Sequence, residues 1–225
     1  MTPVVLYLVR HGAIVTNGGK AFVGNTDTPL SEEGEMQARA VAKWLAPVSF
    51  TRTISSDLLR SRRTCEIIVG RRACALETAP ELREIHLGDW ESVSFHQIKS
   101  RFPEEFAARG RDIENWRPPH GECFAECGVR VRRALDEIVS GSQGNVLLVA
   151  HAGVNRLILC FALGMPIRNL FHIRQDYGCV NVLEFGGDGV HVHLVNYRPA
   201  VFVEEQQRSS PNHAMQSHMP LEYSL

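Results

Sequence analysis

Short apolar runs alternate along this chain with longer stretches in which apolar residues return every three or four positions. Val4 to Val9 is nearly continuous and rich in β-branched residues, the composition of a strand covered on both faces and placed mid-sheet. After the turn-like GNTDTP, the stretch PLSEEGEMQARAVAKWL sets Leu30, Ala38, Val41 and Leu45 at helical spacing, with Ser31 as N-cap. TRTISSD predicts a second short strand, and LLRSRRTCEIIVG the helix after it, closed by Gly70. This β-α-β-α order implies parallel strands.

From Gly121 to Ser140 the apolar face of a third helix is Phe124, Val131, Leu135 and Ile138, while Arg130, Arg132, Arg133, Asp136 and Glu137 are expected mainly in solvent. NVLLVAHAGVNRLILCFAL then repeats the opening pattern: a buried strand from Asn145 to Ala150, His151, and a helix beginning near Val154. CVNVLEFGGDGVHVHLVNY predicts a hairpin turning at Gly186 to Gly189. Beyond about Pro199 the chain turns polar, and residues 204–225 are expected to form a weakly structured tail.

The 225 residues suffice for one large α/β domain, and no Pro/Gly/Ser-rich linker divides them. A formal net charge of −1 disfavours binding to nucleic acid or anionic membranes by bulk electrostatics, though it leaves room for a local cationic pocket. The N-terminus has neither a basic n-region nor an apolar run long enough for a signal peptide or a membrane span, so a cytoplasmic protein is expected. The six cysteines contain no C-x-x-C pair and are expected to be reduced packing residues.

Two strands far apart in sequence both end on a histidine followed closely by glycine, and open α/β sheets bind ligands at the carboxyl ends of their strands. If His11, His151 and the helix-starting Arg60 converge there, Arg10 and Arg60 can hold a phosphoryl group by forked, charge-assisted hydrogen bonds. Helix N-termini add positive potential. Neighbouring guanidinium charge disfavours protonation of His11 and leaves an imidazole nitrogen free to attack phosphorus.

The ordered set LVRHG, SSDLLRSRRT, LREIHLGDWE and VAHAG resembles the histidine phosphatase superfamily, also called phosphoglycerate mutase-like, over about residues 3 to 197. The resemblance implies a three-layer α/β/α fold with a mostly parallel central sheet, a domain spanning residues 1–203 and a small helical cap segment at about 92–122. It makes His11 the phosphorylated nucleophile, Arg10, Arg60 and His151 the phosphate pocket, and Glu84 the proton donor. Glu81 and Glu91 stand nearby, and only the family pattern singles out Glu84. Asn17 falls where the family often has a phosphate-side asparagine, and GNTDTPLSEEG matches its substrate-side loop, with Gly24 and Asn25 as binding positions beside Asp27, Pro29, Leu30 and Gly34. A suitably protonated His151 and the two arginines would stabilise the transferring group without a metal or other cofactor.

Departures from the family pattern are Ala13 and Ile14, where a Glu or Gln and then Thr are common, and Cys123 in place of a serine. They bear on the substrate more than on phosphoryl transfer. The compact interval between Glu84 and His151 favours hydrolysis over a cofactor-dependent phosphoglycerate mutase, whose insertion there is longer. Within the cap, Trp116 and Phe102 are expected to pack in the core, with a substrate-facing role as the alternative. LREIHLGDWES and PPHGE look most like the alpha-ribazole phosphatase and broad-specificity branch, which implies a small-molecule phosphomonoester as partner and leaves a homodimer open. A non-catalytic phosphate-ligand or protein-binding module is the contrasting class. His191 and His193 on one strand face, with His213 and His218 in the tail, form no tight ligand motif, so no metal is expected. The P-loop pattern is absent as well.

Overall fold

The computed structural model describes residues 3–15, 21–70 and 75–201. The expected tail, with His213 and His218, lies outside the described residues. Six strands form one sheet: β1 (Val4–Arg10), β2 (Arg52–Ser55), β3 (Leu76–Thr78), β4 (Gly144–Ala150), β5 (Val180–Gly186) and β6 (Gly189–Tyr197), in the spatial order β3-β2-β4-β1-β5-β6. The first four are mutually parallel, while β5 runs antiparallel to β1 and forms the predicted hairpin with β6. The edge strand β3 has no counterpart among the expected elements, because three residues, two of them exposed, carry no periodicity to read.

The period of two along the central strands explains the layers. In β1 and β4, Leu6, Leu8, Val146, Leu148 and Ala150 enter one apolar cluster, while Val9, Leu147 and Val149 enter the other. The first cluster is closed by α5 (Phe124–Ser140) and α6 (Ala152–Leu163), the second by α1 (Glu32–Trp44) and α2 (Leu59–Val69). The architecture is the expected α/β/α sandwich, with β1 and β4 at its centre.

Local chemistry sets the helix ends. Ser31 Oγ accepts the Gly34 N–H at 3.1 Å as the N-cap of α1, so Leu30 lies outside the helix and instead bridges Ile14. Gly70, at φ +58°, closes α2. Helix α6 starts at Ala152, earlier than its apolar spacing suggests, with His151 as N-cap. Between β3 and α5 lie α3 (Phe95–Arg101) and α4 (Pro103–Arg111), the former opened by a capping box between Ser94 and Gln97. Among the described residues no helix is long and apolar enough to cross a membrane.

Two expectations fail here. Arg130 is no solvated helix residue: its guanidinium is largely enclosed and bonded to Glu122 and to three backbone carbonyls. Phe102 stands exposed at the α3–α4 junction instead of packing in the core, whereas Trp116 packs on Trp90 against the core as expected, with ring centroids 4.6 Å apart.

Candidate active site

The parallel register of β1 and β4 pairs Arg10 with Ala150, so the residues that follow, His11 and His151, leave the same sheet edge side by side. The His11 N–H donates to the Ala150 carbonyl at 3.1 Å, and the two imidazole centroids are 5.1 Å apart. The loop after His11 lies against the start of α1 at a distance only glycine allows: a Cβ on Gly12 would sit 2.2 Å from the Gly34 carbonyl oxygen. Thr64 of α2 accepts the Gly12 N–H, and Ser61 donates to the Val149 carbonyl, which docks α2 and its Arg60 onto both strands.

His11 is buried, and its Nδ1 lies 2.8 Å from the Gly12 carbonyl oxygen. A carbonyl only accepts, so Nδ1 carries the proton and the lone pair is on Nε2. Burial first, then the Arg60 and Arg10 charges, pushes the pKa of His11 well below its ordinary value. His151 is held neutral in the same way, by burial and then by Arg60, so the free site lacks the protonated His151 that the sequence suggests. Its Nε2 is 2.8 Å from Ser56 Oγ, and its buried Nδ1 has no partner among the described residues.

Arg10 donates from Nη1 to the Gln175 carbonyl at 2.6 Å and lies under the Tyr177 ring, 3.8 Å from its centroid. Arg60, 1% exposed, donates to the carbonyls of Gly24 and Thr26, both at 2.7 Å. Each guanidinium keeps a buried Nε with no partner among the described residues. Gly24, at φ +52°, therefore serves the site through its backbone. Asn25 does not line the cavity of His11; its N–H donates to Glu91, and it faces a neighbouring cleft. Asn17 lies outside the described residues.

Glu84 does line that cavity, with both carboxylate oxygens on the Gly153 N–H at the start of α6, at 3.0 and 3.1 Å. Its competitors are placed elsewhere. Glu91 clamps the substrate-side loop through the Asn25 N–H and the Thr26 hydroxyl, and Glu81 is exposed.

The cavity measures about 390 Å³, within the range of small-molecule sites. Among the described residues, four arginines, Arg10, Arg60, Arg109 and Arg156, line it against the single carboxylate of Glu84. Its outer wall is aromatic, with Phe22, Phe95, Phe124, Phe171 and Tyr177, and Ile14 adds the apolar surface its substitution implies. Arg109 and Arg156 lie beside the Phe171 ring and have no carboxylate partner among the described residues. Sequence reasoning missed these two arginines, Tyr177 and Phe171, because single residues on the cap, on a loop or on an otherwise apolar helix such as α6 carry no pattern. Cys123 takes the N-cap of α5 and stays outside the cavity.

A family model, the histidine phosphatase superfamily (branch 1), matches residues 6–198, and the chain belongs to that family. It is a phosphatase. Among its relatives, the adenosylcobalamin/alpha-ribazole phosphatase of Salmonella typhimurium is 33% identical over 194 residues, covering 86% of this chain and 96% of that protein. A "Probable phosphoglycerate mutase GpmB" of Yersinia enterocolitica is 35% identical over 209 residues, covering 84% and 95%. The crystal structure of the alpha-ribazole phosphatase from Shigella flexneri superposes with a TM-score of 0.80 at 30% identity, covering 89% of this chain and all of that one.

Proposed function

We propose that this phosphatase hydrolyses a small, ring-bearing phosphomonoester, with His11 Nε2 as nucleophile and Glu84 as the acid that releases the alcohol. The observation that carries this reading is the fixed tautomer of His11: a neutral imidazole with its lone pair on Nε2, at a sheet edge shared with two guanidinium Nε–H donors. In the first step Nε2 bonds to phosphorus while the ester P–O bond breaks. The departing electron pair stays on the alkoxide oxygen, which takes the proton of Glu84. Arg10 and Arg60 stabilise the equatorial oxygens. His151 joins them as a neutral ring that donates from Nδ1 while its Nε2 accepts from the Ser56 hydroxyl. Water then attacks the phosphohistidine, Glu84 takes its proton, and the N–P electron pair returns to His11.

The aromatic wall and the names of the relatives support alpha-ribazole phosphate as substrate. Arg109 and Arg156, with no carboxylate partner among the described residues, favour a second reading, an acidic leaving group such as phosphoglycerate. The reaction is assigned to the cytoplasm, where the buried thiols of Cys123, Cys127, Cys160 and Cys179 stay reduced. The domain is taken as 1–203 with its cap at about 92–122, and light scattering decides between a monomer and a homodimer.

The experiment is phosphate release, with chelator present, from alpha-ribazole phosphate, phosphoglycerate, sugar phosphates and an aryl phosphate. Release that persists in chelator and is lost in His11→Ala is the expected result. Retained turnover in His11→Ala overturns the nucleophile assignment.

A further inference from the structure

The segment that carries Glu84 belongs to no strand, and its backbone is held by a brace outside the cavity. Arg130 of α5 donates from Nη1 to the carbonyls of Glu81 and Arg83, at 2.5 and 2.9 Å, and from Nη2 to that of Glu84 at 3.2 Å. Glu122 pairs with the same guanidinium through both oxygens, at 2.6 and 3.1 Å, and its Oε1 also accepts the His86 N–H at 2.9 Å. The Glu122 N–H returns a bond to the His86 carbonyl. One ion pair thus satisfies the backbone on both sides of Glu84. Arg132 and Arg133, on the same helix, pair with Asp136 and Glu137 on the exposed surface.

We propose that Arg130, oriented by Glu122, is a positioning residue for Glu84. It fixes the backbone of residues 81–84 so that the carboxylate rests on the Gly153 N–H within the cavity of His11. The guanidinium suits this task because one planar fork reaches three carbonyls and a carboxylate at once, which a lysine ammonium cannot do. This inference rests on Glu84 being the acid of the first step. Removing Arg130 then impairs protonation of the leaving group and leaves the phosphate pocket of Arg10, Arg60 and His11 in place.

The test compares kcat/KM for a primary alkyl phosphate with that for 4-nitrophenyl phosphate, whose phenolate departs without a proton. In Arg130→Met the alkyl ester is expected to lose at least tenfold more than the nitrophenyl ester, and Glu122→Gln to show the same bias more weakly. Arg130→Lys serves if the methionine variant fails to fold, and Arg133→Ala is the control that shows no bias. Glu84→Gln is run in parallel. If Glu84→Gln discriminates between the esters and the Arg130 variants lose both equally, the positioning role is overturned alone. If Glu84→Gln itself shows no bias, the reading of Glu84 as acid falls, and this inference with it.

Discussion

Acidification from pH 7.0 to 5.5 should destabilise the protein through the two histidines its site keeps neutral. His11 and His151 are both fully enclosed, and burial, reinforced by Arg60, holds each pKa well below the ordinary value near 6.5. Above pH 6.5 both the folded and unfolded chains carry these rings neutral, so they contribute no pH dependence. Below it the unfolded chain binds a proton at each ring and the folded chain does not. Stability therefore falls as pH drops, by about 1.4 kcal/mol per pH unit for each histidine, until the folded values are reached. From pH 7.0 to 5.5 the loss comes to about 1 kcal/mol for each ring, or roughly 2 kcal/mol together. Urea unfolding at the two pH values measures it. Comparison with His11→Asn, whose amide replaces the Nδ1–H donor, and with His151→Gln, which can still reach Ser56, removes the contribution of the partly exposed histidines. Each variant should lose about half of the effect. A variant that loses as much stability on acidification as the wild type would refute the claim that the folded site excludes that proton.

Gly153→Ala would place a Cβ 2.5 Å from Glu84 Oε1 and 3.2 Å from Phe124 Cε1, so the carboxylate must retreat by about 1 Å. Hydrolysis of alkyl phosphates should fall roughly 100-fold with little change in melting temperature, and an unchanged kcat/KM would show that Glu84 is not held by this amide. Gly12→Ala meets backbone rather than a yielding side chain, since its Cβ would lie 2.2 Å from the Gly34 carbonyl oxygen. It should cost about 3 kcal/mol by chemical denaturation, and a neutral result would mean the loop can move off α1. Arg109→Ala should raise KM for phosphoglycerate about tenfold, the worth of one charge-assisted hydrogen bond, and change KM for a neutral aryl phosphate less. Equal changes would assign Arg109 to packing alone.

The strands and the helices that follow them were legible because burial imposes a period of two or 3.6 on residues such as Leu6, Leu8, Val131 and Leu135. The two histidines were legible because each interrupts a buried run at a strand end. Arg130 was not, for its position on α5 reads as a surface charge between solvated neighbours. Only the carbonyls of Glu81, Arg83 and Glu84, left without strand partners opposite that helix, make it internal.

What the sequence determined by itself is the set of elements, the parallel sense of the first strands, and the residue types that suit phosphoryl transfer. Those depend on local periodicity and on side-chain chemistry. The tertiary structure decided which charges meet. The register of β1 against β4 put His11 beside His151, and the approach of Gly12 to Gly34 brought up α2 with Arg60. The loop before β5 laid Tyr177 on Arg10, and the start of α6 offered an amide to Glu84. Such contacts join residues from tens to well over a hundred positions apart, and only packing around a common sheet edge can select them.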